Sequence, residues 1–182
     1  MDLPLHAIVV VGDTLVGTAT GVLLHPSEPV VLALLVKDLR PLGAERLVAL
    51  AQIAHTTRDT ITLTLVADAF DELAAFDVPH GRWAEETITT LLATAPPPDP
   101  GAKRSLAQRV LRWRSPVRGP RAPLGRLVAC AIDRERGAIL AVIVRPRWPW
   151  PPRTVRYVVD QLEIRDERGI IVRPGARIDD AV

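Results

Sequence analysis

Four histidines, one cysteine and three serines are the residues of this 182-residue chain best suited to catalysis or metal binding. His6, His25, His55 and His80 stand in unrelated positions, with no His-x-x-x-His spacing and no cysteine pair beside them. A metal ion needs convergent ligands, so these read as solvated or turn histidines. Cys130 lies in an apolar run with no histidine next to it in sequence, which suits a buried thiol better than a nucleophile. None of Ser27, Ser105 and Ser115 sits in a Gly-x-Ser-x-Gly elbow. The glycines at 12, 17 and 21 match neither a Walker nor a dinucleotide pattern. Asp71-Glu72 and Glu85-Glu86 are sequence neighbours, and neighbours on a helix do not converge on one substrate. No catalytic set, no cofactor site and no metal site is expected, and the chain reads as a non-enzyme.

Binding chemistry is better represented. Lys103, Arg104, Arg109, Arg112, Arg114, Arg118, Arg121 and Arg126 follow one another with no acid between them, and Trp113 stands among them. Guanidinium groups clamp phosphates and stack on bases. Three readings stand: docking of this tract on the chain's own acidic half or on a protein partner, an RNA surface using residues 103–126, and an amphipathic helix on an anionic membrane. The first is preferred, because the Pro-Arg spacing is irregular and the candidate helix is short. A second candidate is the segment Arg145-Pro-Arg-Trp-Pro-Trp-Pro-Pro-Arg153. Its Arg147, Trp148 and Trp150 are favoured interface anchors. They equally suit a stiff loop whose indoles cap the end of a fold. The candidate partner-binding residues are therefore Arg109, Arg112, Trp113, Arg114, Arg118, Arg121, Arg147, Trp148 and Trp150.

These residues must be held by short elements. His6–Val11, Leu15–Leu24, Val30–Val36 and Thr60–Val66 are apolar or alternating runs broken by Gly, Pro, Asp and Ser, the pattern of strands in an all-β unit. Arg46–His55 fits a strand or, from its Ala, Leu and Gln content, a helix. A shift of 108 residues superimposes Gly17 on Gly125, Leu24 on Ile132, Ala33 on Ala141 and Lys37 on Arg145. A shift of 109 then brings Gln52-Ile53 onto Gln161-Leu162 and residues 60–63 onto 169–172. The chain thus contains two copies of one β unit. Short helices are expected at Asp71–Phe76 and around Ala84, Ile88, Leu91 and Leu92. The run 96–101 reads as a stiff, Pro-rich linker. A further short helix is expected over Ser105–Trp113, and two prolines make the start of the second copy irregular.

Each copy carries a Gly near the start of a strand, a hairpin, a Val-rich strand, a basic residue, an apolar strand and a short final strand. The quoted stretches are Gly125–Asp133 with Gly137–Arg145, and Val16–Lys37 with Glu45–Ile53. This pattern resembles the PRC-barrel family, which includes the barrel of the photosynthetic reaction centre H subunit and one in a ribosome maturation factor. A proline frequent in the family is replaced by Ala49 in the first copy and by Val158 or Val159 in the second. The resemblance implies a mainly β chain of two small, closed barrels: residues 1–77, a helical and Pro-rich linker at 78–115, and residues 116–182. It implies a binding or scaffold role with a protein partner, packing of the two halves on each other or on a second copy, and RNA as the alternative ligand.

The charge pattern fits a protein of two unlike surfaces. Basic and acidic residues number 23 and 21. Residues 1–100 hold 5 and 13 of them and residues 101–182 hold 18 and 8, so the halves carry −8 and +10. A 48% hydrophobic content excludes disorder throughout. A single cysteine excludes an internal disulfide framework. No run approaches the ~20 apolar residues of a membrane-spanning helix, and Met1-Asp2 leads into no basic n-region. A soluble, cytoplasmic protein is expected.

Overall fold

The first strands arise from runs of β-branched and leucine side chains: Ile8–Val11 alternates more exposed and buried positions, and residues 31–36 are buried throughout. The computed structural model describes residues 1–25, 28–40, 43–75, 89–91, 93, 109–147, 154–165, 169–173 and 178–180. β1 spans Asp2–Pro4, β2 Ile8–Val11, β3 Thr14–Leu24, β4 Val31–Asp38, β5 Glu45–Ala49, β6 Ile53–Thr56 and β7 Thr60–Leu63. All but β1 join one sheet in the order β5-β4-β3-β2-β7-β6. β2 and β3 form a hairpin whose turn uses the positive φ of Gly12 (57°), and β2 pairs with β7 in parallel. One turn of 3-10 helix, Leu50–Gln52, links β5 to β6. The helix α1, Ala67–Asp71, follows β7 and buries Phe70.

The rest of the described chain repeats this order. β8 is Arg109–Arg112, β9 Pro116–Arg118, β10 Pro123–Ile132, β11 Ile139–Pro146, β12 Val155–Val158, β13 Leu162–Arg165, β14 Gly169–Val172 and β15 Ile178–Asp180. The second sheet runs β13-β14-β9-β10-β11-β12-β15 and curls into a nearly closed, barrel-like form. Read from β12 to β13 its order matches that of the first sheet from β5 to β6. The parallel pair agrees as well: Val9 lies opposite Ile61, and Val117 opposite Ile170. A second 3-10 turn, Val159–Gln161, joins β12 to β13. The matched glycines have one cause. A Cβ on Gly17 would strike the carbonyl oxygen of Lys37, and one on Gly125 that of Arg145, so at both places the neighbouring strand approaches too closely for a side chain.

The two sheets exchange their first strands. β1 leaves the first sheet and pairs with β10, placing Leu3 opposite Cys130. β8 pairs with β3, placing Leu111 opposite Val22. Leu111 is the counterpart of Leu3 and Cys130 that of Val22 under the 108-residue shift, so each half closes over a strand supplied by the other. Leu3, Leu111, Val22 and Cys130 are fully buried. They belong to one continuous core that also takes in Val9, Ile61 and Val117. Full burial of each leucine contributes about 2–3 kcal/mol.

The structure corrects three local expectations. Over Arg109–Arg112 the expected helix is a strand, because Leu111 points into the core while Val110 packs against a smaller cluster on the other side. The helix expected at Asp71–Phe76 lies earlier, at Ala67–Asp71, because Phe70 is the residue that docks. The ambiguous stretch Arg46–His55 is strand, 3-10 turn and strand. The irregular start of the second copy is a hairpin of β9 and β10 with Pro120 in its loop and a register shift after Pro123. Most of the second expected helix and the whole Pro-rich run lie outside the described residues.

Candidate interaction surface

Three sets of contacts hold the seam between the halves. At the end of β8, the Trp113 amide donates to the carbonyl of Thr20 at 2.8 Å, and the Leu5 amide donates to Val128 at the same distance. The Trp113 ring stacks on His6, with centroids 3.8 Å apart and planes 7° from parallel. The Arg114 guanidinium covers Trp113 at 4.2 Å from the ring centroid. Offset stacking and cation–π contact each contribute about 0.5–1.5 kcal/mol. Arg114 has φ of 66°, the one positive value outside glycine among the described residues. In that conformation its amide donates to Leu127 (2.9 Å) and its carbonyl accepts from Arg126 Nη1 (3.1 Å).

Arg112 reaches from β8 to the first sheet. Its Nη1 and Nη2 bind Glu45 Oε1 and Oε2 at 2.6 and 2.9 Å, a bidentate pair. The Glu45 side chain is 11% exposed, and Thr20 Oγ1 also donates to it. Arg134 Nη2 donates to the carbonyls of Ile53 and Ala54 at 2.9 and 3.2 Å. Part of the basic half thus docks on the acidic half.

The remaining predicted residues fall into three groups. Arg109 lies opposite Leu24 on β8. Arg118 on β9 is exposed, as are Arg121 in the following loop, Arg126 on β10, and Arg145 and Arg147 at the end of β11. Trp148 and Trp150 lie outside the described residues. The register places Arg126 directly opposite Arg145. Arg118 shares their outward face, because Val117 between Pro116 and Arg118 is buried and Pro116 lies opposite Arg126. Arg145, not among the candidates, joins the cluster through strand pairing. The match of Lys37 with Arg145 was the available signal, since Lys37 lies opposite Thr18, the counterpart of Arg126.

The Cys130 thiol is held inert. Cys130 is buried, and desolvation pushes its thiol up to about 12, away from the thiolate needed for attack. His6 is taken up by Trp113, His25 is buried and His55 is exposed on β6. His80 lies outside the described residues. Among the described residues no group of three or more His, Cys, Asp or Glu could hold a metal ion. The densest polar site is Asp38, buried near the end of β4. It accepts the Arg40 amide (2.9 Å) and Arg40 Nε (2.8 Å), while Arg46 Nη1 donates to the carbonyls of Asp71 (2.6 Å) and Leu73 (2.8 Å). Arg40 Nη2 also binds Asp71 Oδ1 at 2.6 Å. The Arg40 hydrogen bonds hold the Asp38 carboxyl below the ordinary carboxylate range, against the opposing effect of burial. This network ties α1 to β4 and β5. Arg46 Nε, 3.9 Å from Asp38 Oδ2, is buried in it without a hydrogen-bond partner.

No helix of the described residues is long and apolar enough to cross a membrane. Neither a described protein family nor a curated protein matches this chain.

Proposed function

We propose that the chain is a non-enzymatic binding or scaffold protein, built from two PRC-barrel-like modules in tandem joined by a partly helical, Pro-rich connector. The observation that carries this reading is the reciprocal exchange of β1 and β8, which joins both sheets through one core and leaves the arginine-bearing face of the second half open. The equal strand orders and the matched glycines support two modules of one kind. An exposed cluster of arginines suits holding a partner in place.

The test is a pull-down from the native cell with the full chain as bait, at low and high salt. A bait carrying Arg118→Glu and Arg145→Glu serves as the comparison. A specific partner lost with the variant bait, while thermal stability is kept, supports the reading. A turnover that vanishes on changing one polar side chain would sink it.

A further inference from the structure

The same sheet face has been built twice with different chemistry. In the first sheet, Leu23, Leu35 and Leu47 form a small outer core covered by Leu91 and Val110. Their counterparts in the second sheet are Ala131, Ile143 and Arg156, and the counterpart of Val110 is the exposed Asp2. Leu32 is 7% exposed, whereas its counterpart Leu140 is 47% exposed. The second face has therefore lost most of the apolar area that a protein partner or a membrane would bury. It has gained positive charge instead.

That charge is concentrated by strand register. Arg126 and Arg145 stand directly opposite each other, an arrangement of like charges that disfavours the pair without a counter-charge. Arg118 lies on the neighbouring strand, on the same outward face. No carboxylate of the described residues pairs with any of the three. The positive φ of Arg114 directs its carbonyl to Arg126 Nη1, while its guanidinium lies on the Trp113 ring. Trp113 offers no open ring face to a base, since His6 covers one side and Arg114 the other.

Resting on the reading of the chain as a binding protein, we infer that Arg118, Arg126 and Arg145 form a site for the phosphate backbone of nucleic acid. Guanidinium pairs bind phosphate oxygens bidentately. With both faces of Trp113 filled, recognition by the described residues is electrostatic and blind to base identity.

The experiment uses the intact chain and fluorescein-labelled 20-nucleotide RNA and DNA of matched mixed sequence, followed by anisotropy at 50 and 200 mM salt. Three phosphate contacts weaken affinity by roughly 20-fold between those salts. Arg118→Gln with Arg145→Gln flattens the logarithmic salt slope by about 1.4 and leaves the Arg126–Arg114 contact in place. Circular dichroism checks that this variant folds. The RNA and DNA arms identify which backbone is preferred. Absence of binding at 50 mM salt, or an unchanged slope in the double variant, overturns the inference. Equally tight capture of poly-glutamate or of phosphatidylserine vesicles also overturns it, while leaving the wider reading of a binding protein intact.

Discussion

Val30 forms an antiparallel bridge with Ala138, its own counterpart 108 residues later in the chain. The flanking hydrogen bonds are equally reciprocal: the Val31 amide donates to Gly137 at 2.9 Å, and the Ile139 amide donates to Pro29 at 2.8 Å. A residue can meet its own counterpart in this way only on an approximate two-fold axis. The exchanged strands β1 and β8 obey the same axis. The halves are therefore related as the subunits of an isologous dimer, with the chain running through both.

A shared core and exchanged strands predict one cooperative unfolding transition rather than two. Leu3→Ala and Leu111→Ala should each lower the stability of the whole chain by about 2–5 kcal/mol, since each empties a fully buried site in the exchanged strand. Urea titrations followed by tryptophan fluorescence and by far-UV circular dichroism check this. Two separated transitions, or an effect confined to one half, would show that the exchange does not couple the sheets.

The Arg112–Glu45 pair joins the halves through charge. Arg112 is about half exposed, so solvent screens much of the attraction. Glu45 is nearly buried and also serves Thr20, so removing it strands more partners. Glu45→Ala should cost about 2 kcal/mol and Arg112→Ala about 1. A double-mutant cycle should return a coupling of roughly 0.5–1 kcal/mol. Equal costs for the two single changes would contradict this account.

Asp38 sets an acid limit. Its carboxyl is held below the ordinary range by Arg40, so its folded-state value lies under its unfolded one of about 3.9. The sign follows from linkage. A depressed carboxylate contributes stability that is complete above the unfolded value and is lost as pH falls through the folded value. Urea midpoints measured from pH 6 to pH 2 should therefore fall more steeply below about pH 4 for the native chain than for Asp38→Asn. Parallel curves would mean that Asp38 contributes nothing to the acid transition.

Much of this architecture was legible in the chain, and the remainder failed for physical reasons. The 108-residue shift carries strand onto strand because the turn glycines and the apolar runs are local features. Extending it backwards places Arg109–Arg112 on Met1–Pro4 and would have marked β8 as a strand. The spacing of Leu106, Val110 and Trp113 suggested a helix instead, since a strand buried on both faces loses the period of two. The arginine cluster was half visible. Arg118 and Arg126 stand in one tract, but Arg145 joins them only through the pairing of β10 with β11, a non-local event. Arg112, grouped with them in sequence, turns away to Glu45.

Cys130 should behave as an inert core side chain. It is fully buried opposite Leu3, with its thiol pushed up to about 12. A thiol reagent such as DTNB should not react with the native chain at neutral pH and should react fully in denaturant. Cys130→Ser should destabilise by about 1–3 kcal/mol, because a hydroxyl has no partner there. Rapid labelling of the native chain would mean that β1 opens away from β10 on that timescale.

Trp113 separates the structural role of the basic tract from its binding role. Its counterpart is Leu5, which is fully buried, and Trp113 fills the equivalent place with a ring clamped between His6 and Arg114. Trp113→Ala should therefore cost about 2–4 kcal/mol of stability, and Trp113→Phe about 1. His6→Ala, which removes one side of the clamp, should cost about 0.5–1.5 kcal/mol. Under conditions where each variant is folded, the salt slope for nucleic-acid binding should match that of the native chain, because the ring gives no face to a base. Should Trp113→Phe keep its stability yet bind RNA tenfold more weakly, the ring would have to belong to the ligand, and binding blind to base identity would be the wrong description of this face.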